Sequence, residues 1–211
     1  MRLHRSPIRW RGPHARALTV LFTVASLLLG LLGCSKYDEL VAKDQLCQQK
    51  WADVDAQLQR RYDLIPNLVS TVKASAKHEE DTLRAVTQAR AEATSIKLSA
   101  EDLEDPKKME AFTKAQDQLQ GALSRLLAIQ EAYPDLKANA AFHDLQVQLE
   151  GTENRILRAR EQYNEAVGGY NAVLAQVGGM AVNRATGRPF KPRPYFAASA
   201  GAQAAPKVSF D

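Results

Sequence analysis

Two cysteines in 211 residues leave little room for disulfide chemistry. Cys47 sits between Leu40 and Trp51 at helical spacing, which reads as a small core residue rather than a reactive thiol. Histidine is nearly as scarce. Four occur, and only His78 and His143 lie beyond the first 33 residues, in different segments. No H-E-x-x-H and no Glu-x-x-His is present, so the usual helical zinc and di-iron signatures are missing. A serine-hydrolase elbow and a glycine-rich phosphate loop are missing too. The chain is therefore expected to be no enzyme, to use no cofactor and to have no metal site. His78–Glu80 reads as a solvated turn of helix in which Glu80 reaches Arg84. Strict alternation of apolar and polar residues is absent, which argues against strands.

Acidic residues are absent from the first sixteen positions, where Arg2, Arg5, Arg9, Arg11 and Arg16 occur. Ala17 to Gly33 then carries no charge. A spanning helix needs roughly 20 apolar residues, so this run is slightly short. A basic region, an apolar run and a small-residue boundary make a secretory signal, residues 1–33, with the remainder translocated. The alternative is an uncleaved single-pass anchor in the inner membrane. Both place the domain outside the cytoplasm.

The boundary itself, Leu31-Leu32-Gly33-Cys34, resembles the lipobox of bacterial lipoproteins. That resemblance implies cleavage before Cys34 and lipidation, palmitate included, on its thiol. Each buried CH₂ contributes about 0.8 kcal/mol, and two or more acyl chains make a stable anchor. Ser35 is not the Asp that retains lipoproteins in an inner membrane, so in a two-membrane host it favours the outer one. With Cys34 acylated, Cys47 has no bridging partner.

The whole chain is +4. The leader accounts for five Arg and no acid, leaving 23 basic against 24 acidic residues, net −1. A nucleic-acid binder shows a basic face, so nucleic acid is excluded as a partner. Charge then divides the mature chain. Residues 178–211 are +4 and rich in proline and aromatics, whereas 34–177 are −5.

Within 34–177, apolar residues recur at steps of three, four and seven. A first helix is expected over about Lys36–Tyr62, with Leu40, Cys47, Trp51, Val54, Leu58 and Ile65 inward. Pro66 should break it and open a second helix to about Lys97. Asp105-Pro106 reads as cap and first position of a third helix, to about Ala132. A fourth runs from about Asn139 to Gln176, and its Gly168-Gly169 marks a close helix approach or a kink. The expected fold is all-α, an antiparallel up-and-down four-helix bundle with an irregular C-terminal tail.

Charged residues interrupt those seams. Arg61, Glu79, Arg90, Glu153 and Arg160 all fall at inward phases. Unpaired buried charge costs several kcal/mol. The five are expected to form a buried ion network, or to reach water from the seam edge. The sharper alternative is an anion site for a small molecule or lipid head group, since Arg binds such groups bidentately.

The segments WADVDAQLQRRYDLIPNLV, AKHEEDTLRAVTQAR, YPDLKAN and LQVQLEGTENRILRAREQYNEAVGGYN resemble the LemA family. The likeness covers about 37–175 and fades through the tail. It implies a membrane-tethered helical domain facing away from the cytoplasm, with no settled activity. Relatives tend to be encoded near membrane metalloproteases and other envelope proteins, which implies an accessory role with an envelope-protein partner. The family's recurrent polar residues correspond to Arg61, Asp63, Asn67, Glu79, Arg90, Glu153, Asn154, Arg160, Asn164 and Asn171. The family usually has a Phe-Pro pair after the last helix, where this chain has AQVGGM. The reading is thus a lipid-anchored envelope protein serving as a non-catalytic interaction or scaffold module. Two outcomes compete for the tail. It docks on the acidic bundle through Phe190, Tyr195 and Phe196, with order near Pro194–Phe196 and disorder after Ala197, or it stays extended as a polyproline-type segment.

Overall fold

A computed structural model describes residues 13–76, 78–187 and 190–197, with side chains from Val20 to Thr23 and from Ser35 onward. Among them the protein is all-α and contains no strand. The helices are α1 (Pro13–Ser75), α2 (Glu80–Ser95), α3 (Pro106–Ala128), α4 (Pro134–Lys137), α5 (Ala140–Ala175) and α6 (Val177–Thr186). Short 3₁₀ turns at Asp102–Glu104 and Ile129–Glu131 flank α3.

The first helix departs from expectation. It does not stop at Pro66 but runs unbroken for 63 residues, about 95 Å at 1.5 Å per residue. An interior proline removes one helical N–H and costs about 3 kcal/mol or more. Here it is tolerated because the core stripe is continuous across it. Leu58, Ile65, Leu68 and Val72 are all buried on one side, while Pro66 itself is exposed. The chain turns instead between Ala76 and Glu79, so the second helix is half the expected length. His78 lies in that turn, and Glu80 forms no ion pair with Arg84 among the described residues.

Other boundaries follow their caps. The Asp105 side chain accepts from the Lys107 amide, with Pro106 opening α3. Asn139 accepts from the Phe142 amide at 3.2 Å and starts α5. Gly168 and Gly169 do not interrupt α5. A Cβ at Gly168 would meet the Tyr195 hydroxyl at 3.5 Å, and one at Gly169 the Lys43 ammonium at 3.7 Å. The helix break comes later, at Gln176. There Gly179 is required, since a Cβ would stand 2.3 Å from the Val173 carbonyl oxygen. The expected irregular tail is helical over α6, which closes on Gly187 at a left-handed φ of 63°.

α1 and α5 form the main pair. Their contacts run antiparallel: Lys36 against Gly178 just past α5, Lys43 against Gly169, Lys50 with Gln162, and Arg61 with Glu153. α2 packs back on α1 and on α3. The core between these helices centres on aromatic rings. Trp51 stacks edge-on against Phe112 and Tyr163, each 5.3 Å between centroids. Cys47 is a free, fully buried thiol in this core, and burial pushes its pKa up from 9.0 to about 11.

Candidate functional site

The five seam charges do not form one network. Arg61 is 2% exposed and pairs with Glu153 at 3.3 Å. Its other terminal nitrogen donates to Gln116, which in turn donates to the Tyr62 hydroxyl at 2.7 Å. Arg90 instead donates from Nε to the main-chain carbonyl of Tyr62 at 2.9 Å. Glu79 accepts from the Tyr133 hydroxyl at 3.0 Å, near the far turn of the domain. The phenol and carboxylate push the Tyr133 pKa up, chiefly through that hydrogen bond. Arg160 faces the C-terminal segment. Each arginine head is met by at least one acceptor of this same chain, although Arg61 Nε is buried without a hydrogen-bond partner. Among the described residues, no group of three His, Cys, Asp or Glu side chains is gathered for a metal.

The more distinctive site lies where Phe190–Ala197 crosses α5 and α1. The segment is extended, and it is held by side-chain amides that each grip one residue twice. Asn171 donates to the Arg193 carbonyl and accepts from its N–H, both at 2.9 Å. Asn164 does the same with Phe196, at 3.0 and 2.8 Å. Asn183 of α6 does so with Phe190, at 3.0 and 2.6 Å. The gripped residues are 190, 193 and 196, a period of three. A polyproline helix advances about 9.3 Å in three residues, and an α-helix about 10.5 Å in seven. Asn164 and Asn171, seven apart, therefore match two successive turns of an extended proline-rich chain. Pro192 and Pro194 fall between the gripped residues, where no N–H is needed.

Side chains fix the register. Arg193 is 3% exposed, with Nε and Nη2 at 3.0 and 2.7 Å from the Asp44 carboxylate. Burial opposes its charge, but the Asp44 hydrogen bonds and charge outweigh that and raise its pKa. Its Nη1 and the nearby Tyr163 hydroxyl are both buried without a partner. The Tyr170 hydroxyl donates to the Lys191 carbonyl at 3.0 Å. Phe196 enters the aromatic core against Trp51 and Phe112, 6.1 and 5.9 Å between centroids. The Arg160 guanidinium lies 4.1 Å over its ring and donates to the Ala197 carbonyl. Burial lowers the Arg160 pKa, and Asp117 opposes that shift. Phe190 packs edge-on to Tyr37 at 6.0 Å.

Docking of the tail was one of the two expected outcomes, and Phe190 and Phe196 serve as its anchors. Tyr195 is not a buried anchor, since it lies over Gly168 on the surface of α5 and is 53% exposed. Asp44 and Asn183 were missed. Asp44 looks like any solvated helix charge until Arg193 arrives from 149 residues away. Expectations for residues 1–12 and for disorder after Ala197 lie outside the described residues, as does the Cys34 side chain, although its backbone is helical within α1.

The LemA family model matches residues 50–210, which takes in most of the core, the amide ladder and the docked segment. The chain belongs to the LemA family. A comparison with curated proteins finds no match. Asn164, Asn171 and Arg160 sit together on one face of α5, gripping the tail. Asn154, by contrast, is exposed and makes no contact with the docked segment among the described hydrogen bonds.

Proposed function

We propose that this LemA-family chain is a membrane-tethered cell-envelope protein, and that its helical domain is a non-catalytic interaction module. The domain is best described as an antiparallel four-helix bundle of the mature part of α1 with α2, α3 and α5. Its working surface is the α1/α5 groove, which recognises extended, proline-spaced segments carrying an arginine between two aromatics. The observation that carries this reading is the grip on Phe190, Arg193 and Phe196. Main-chain pairing supplies affinity for an extended chain, and pockets for alternate side chains supply selectivity, the general mode of extended-peptide recognition. The partner is an envelope protein, reached through the groove.

Tethering is supported by the arginine-rich start, the uncharged run Ala17–Gly33 and the Leu-Leu-Gly-Cys boundary, with lipidation at Cys34. Val20, Leu21 and Phe22 are consecutive apolar residues, 61–76% exposed. Three successive residues cover most of a helix circumference, so among the described residues this stretch of α1 packs against no other part of the protein. Among the described residues no helix is long and apolar enough to cross a membrane. A lipid on Cys34 supplies an anchor without one.

The groove is tested with an unlinked peptide of the sequence Phe190–Ala197. Arg193→Glu in the full chain puts a carboxylate against Asp44 and should expel the native tail. That variant, shown folded by circular dichroism, should bind the fluorescent peptide, and adding Asp44→Ala should abolish binding. Failure of the expelled-tail variant to bind would overturn the reading.

A further inference from the structure

The short helix after the break at Gln176 has two unlike faces. At 100° per residue, Val177, Met180, Ala181, Arg184 and Ala185 fall within one arc and are exposed. Gly178, Gly179, Val182 and Asn183 occupy the other arc and turn toward α1 and α5. The outward arc is apolar except for Arg184, and α6 carries no acid. Val177 is 79% exposed and Met180 54%, among the largest exposures of apolar side chains outside the leader. A single exposed Val or Met is ordinary. Two of them with two alanines on one face of a ten-residue helix, centred on a basic residue, form an amphipathic surface element.

Position supplies the second observation. Gly178 lies against Lys36, 3.4 Å from a built Cβ to Cγ. Lys36 is two residues past Cys34, about 3 Å along α1. Phe190, which closes the α6 excursion, lies against Tyr37. The helix therefore crosses the end of the domain from which the apolar run of α1 departs, level with the anchor. Arg184 centres the face and carries its attraction to an anionic surface. The flanking cations are already balanced, Lys36 by Glu39 at 2.7 Å and Lys191 by Glu104 at 3.9 Å, and Asp38 is the exposed acid nearby.

We propose that α6 is a membrane-surface helix, seating Val177, Met180 and Ala181 at the headgroup boundary of an anionic bilayer with Arg184 reaching the phosphates. The arginine stem lies along apolar surface while its head stays at the phosphates. This inference rests on the tethering reading. It adds that the domain does not swing freely on its anchor but is set down on the membrane by a second contact. The groove is thereby held at a fixed orientation, because the docked segment starts where α6 ends.

The full chain, reconstituted in vesicles of phosphatidylcholine with phosphatidylglycerol, provides the test. A photo-reactive benzoylphenylalanine is placed at Met180 or, as control, at Leu157, which is exposed on α5 about 27 Å from that helix's end. Flotation reports tethering, and mass spectrometry of lipid adducts reports contact. The expected result is flotation of both variants, lipid adducts at 180 at least tenfold above 157, and a severalfold fall at 180 with Arg184→Glu or with phosphatidylcholine alone. Flotation with equal or no adducts at the two positions would overturn the α6 contact and leave tethering standing. Absence of flotation would overturn tethering, and this inference with it.

Discussion

Arg90 Nε donates to the Tyr62 carbonyl oxygen at 2.9 Å, and that oxygen is the one Pro66 leaves without its helical donor. A residue four positions before an interior proline loses its N–H partner. An arginine from the next helix supplies a charged donor in its place. This is why α1 can run through Pro66 while the chain stays closely packed around it. The arrangement also explains the inward phase of Arg90 without any ligand.

A double-mutant cycle checks it. Arg90→Met should cost about 1–3 kcal/mol in chemical denaturation, the range for a buried acceptor left unmade. In a Pro66→Ala background the helical N–H returns, and the same substitution should cost clearly less. Equal costs in both backgrounds would show that Arg90 acts elsewhere.

Arg61 and Glu153 are unequal partners, since the Arg61 side chain is 3% exposed and the Glu153 side chain 30%. Arg61→Ala removes partners from Gln116 and Glu153 and should cost roughly 3–5 kcal/mol. Glu153→Gln keeps an acceptor at a half-open site and should cost under about 2 kcal/mol. Thermal melting of the two variants side by side measures the difference, and the reverse order would contradict the buried placement of Arg61.

Cys47 and Tyr163 set an alkaline limit. Burial raises Cys47 from 9.0 to about 11 and Tyr163 from 10.0 to about 12. The unfolded chain deprotonates first, so their contribution is fully present below pH 9 and is lost between about pH 9 and 12. Denaturation midpoints should hold level to pH 8.5 and fall above it, and an aromatic disulfide reagent should label Cys47 only on unfolding. Fast labelling of native protein at pH 8 would contradict the burial.

Asp44→Ala leaves the Arg193 guanidinium buried and unpaired. Losing one partner of a buried pair costs roughly 3–5 kcal/mol, and each 1.4 kcal/mol is tenfold in an equilibrium. The undocked fraction should rise by a factor of about 100 or more. Chymotrypsin cleavage after Phe196, followed by mass spectrometry, should accelerate accordingly, while cuts within α5 should not.

Helix content and core were legible because apolar steps of three and four are local. Leu40, Cys47, Val54, Leu83, Phe112 and Tyr163 all face inward as their spacing requires. The first turn was misplaced because Pro66 is a strong local signal, whereas Ala76–Glu79 contains neither proline nor glycine. The seam also keeps its phase there, since Ala76 and Leu83 are seven apart. The groove was half legible. Asn164 and Asn171 at a spacing of seven, beside core Tyr163 and Tyr170, and aromatics six apart around prolines were both in view. Their match could not be read, because it depends on the rise of one chain against another and on contacts 22 to 149 residues apart in sequence.

Amide hydrogen exchange along the tail of the full chain in detergent micelles tests the groove most directly. The amides of Phe190, Arg193 and Phe196 each donate to an asparagine oxygen. These three should be protected by at least tenfold over Lys191 and Tyr195, and Asn171→Ala should release Arg193 first. Uniformly fast exchange from 190 to 197 would contradict the docked ladder and, with it, the account of this surface as a peptide groove.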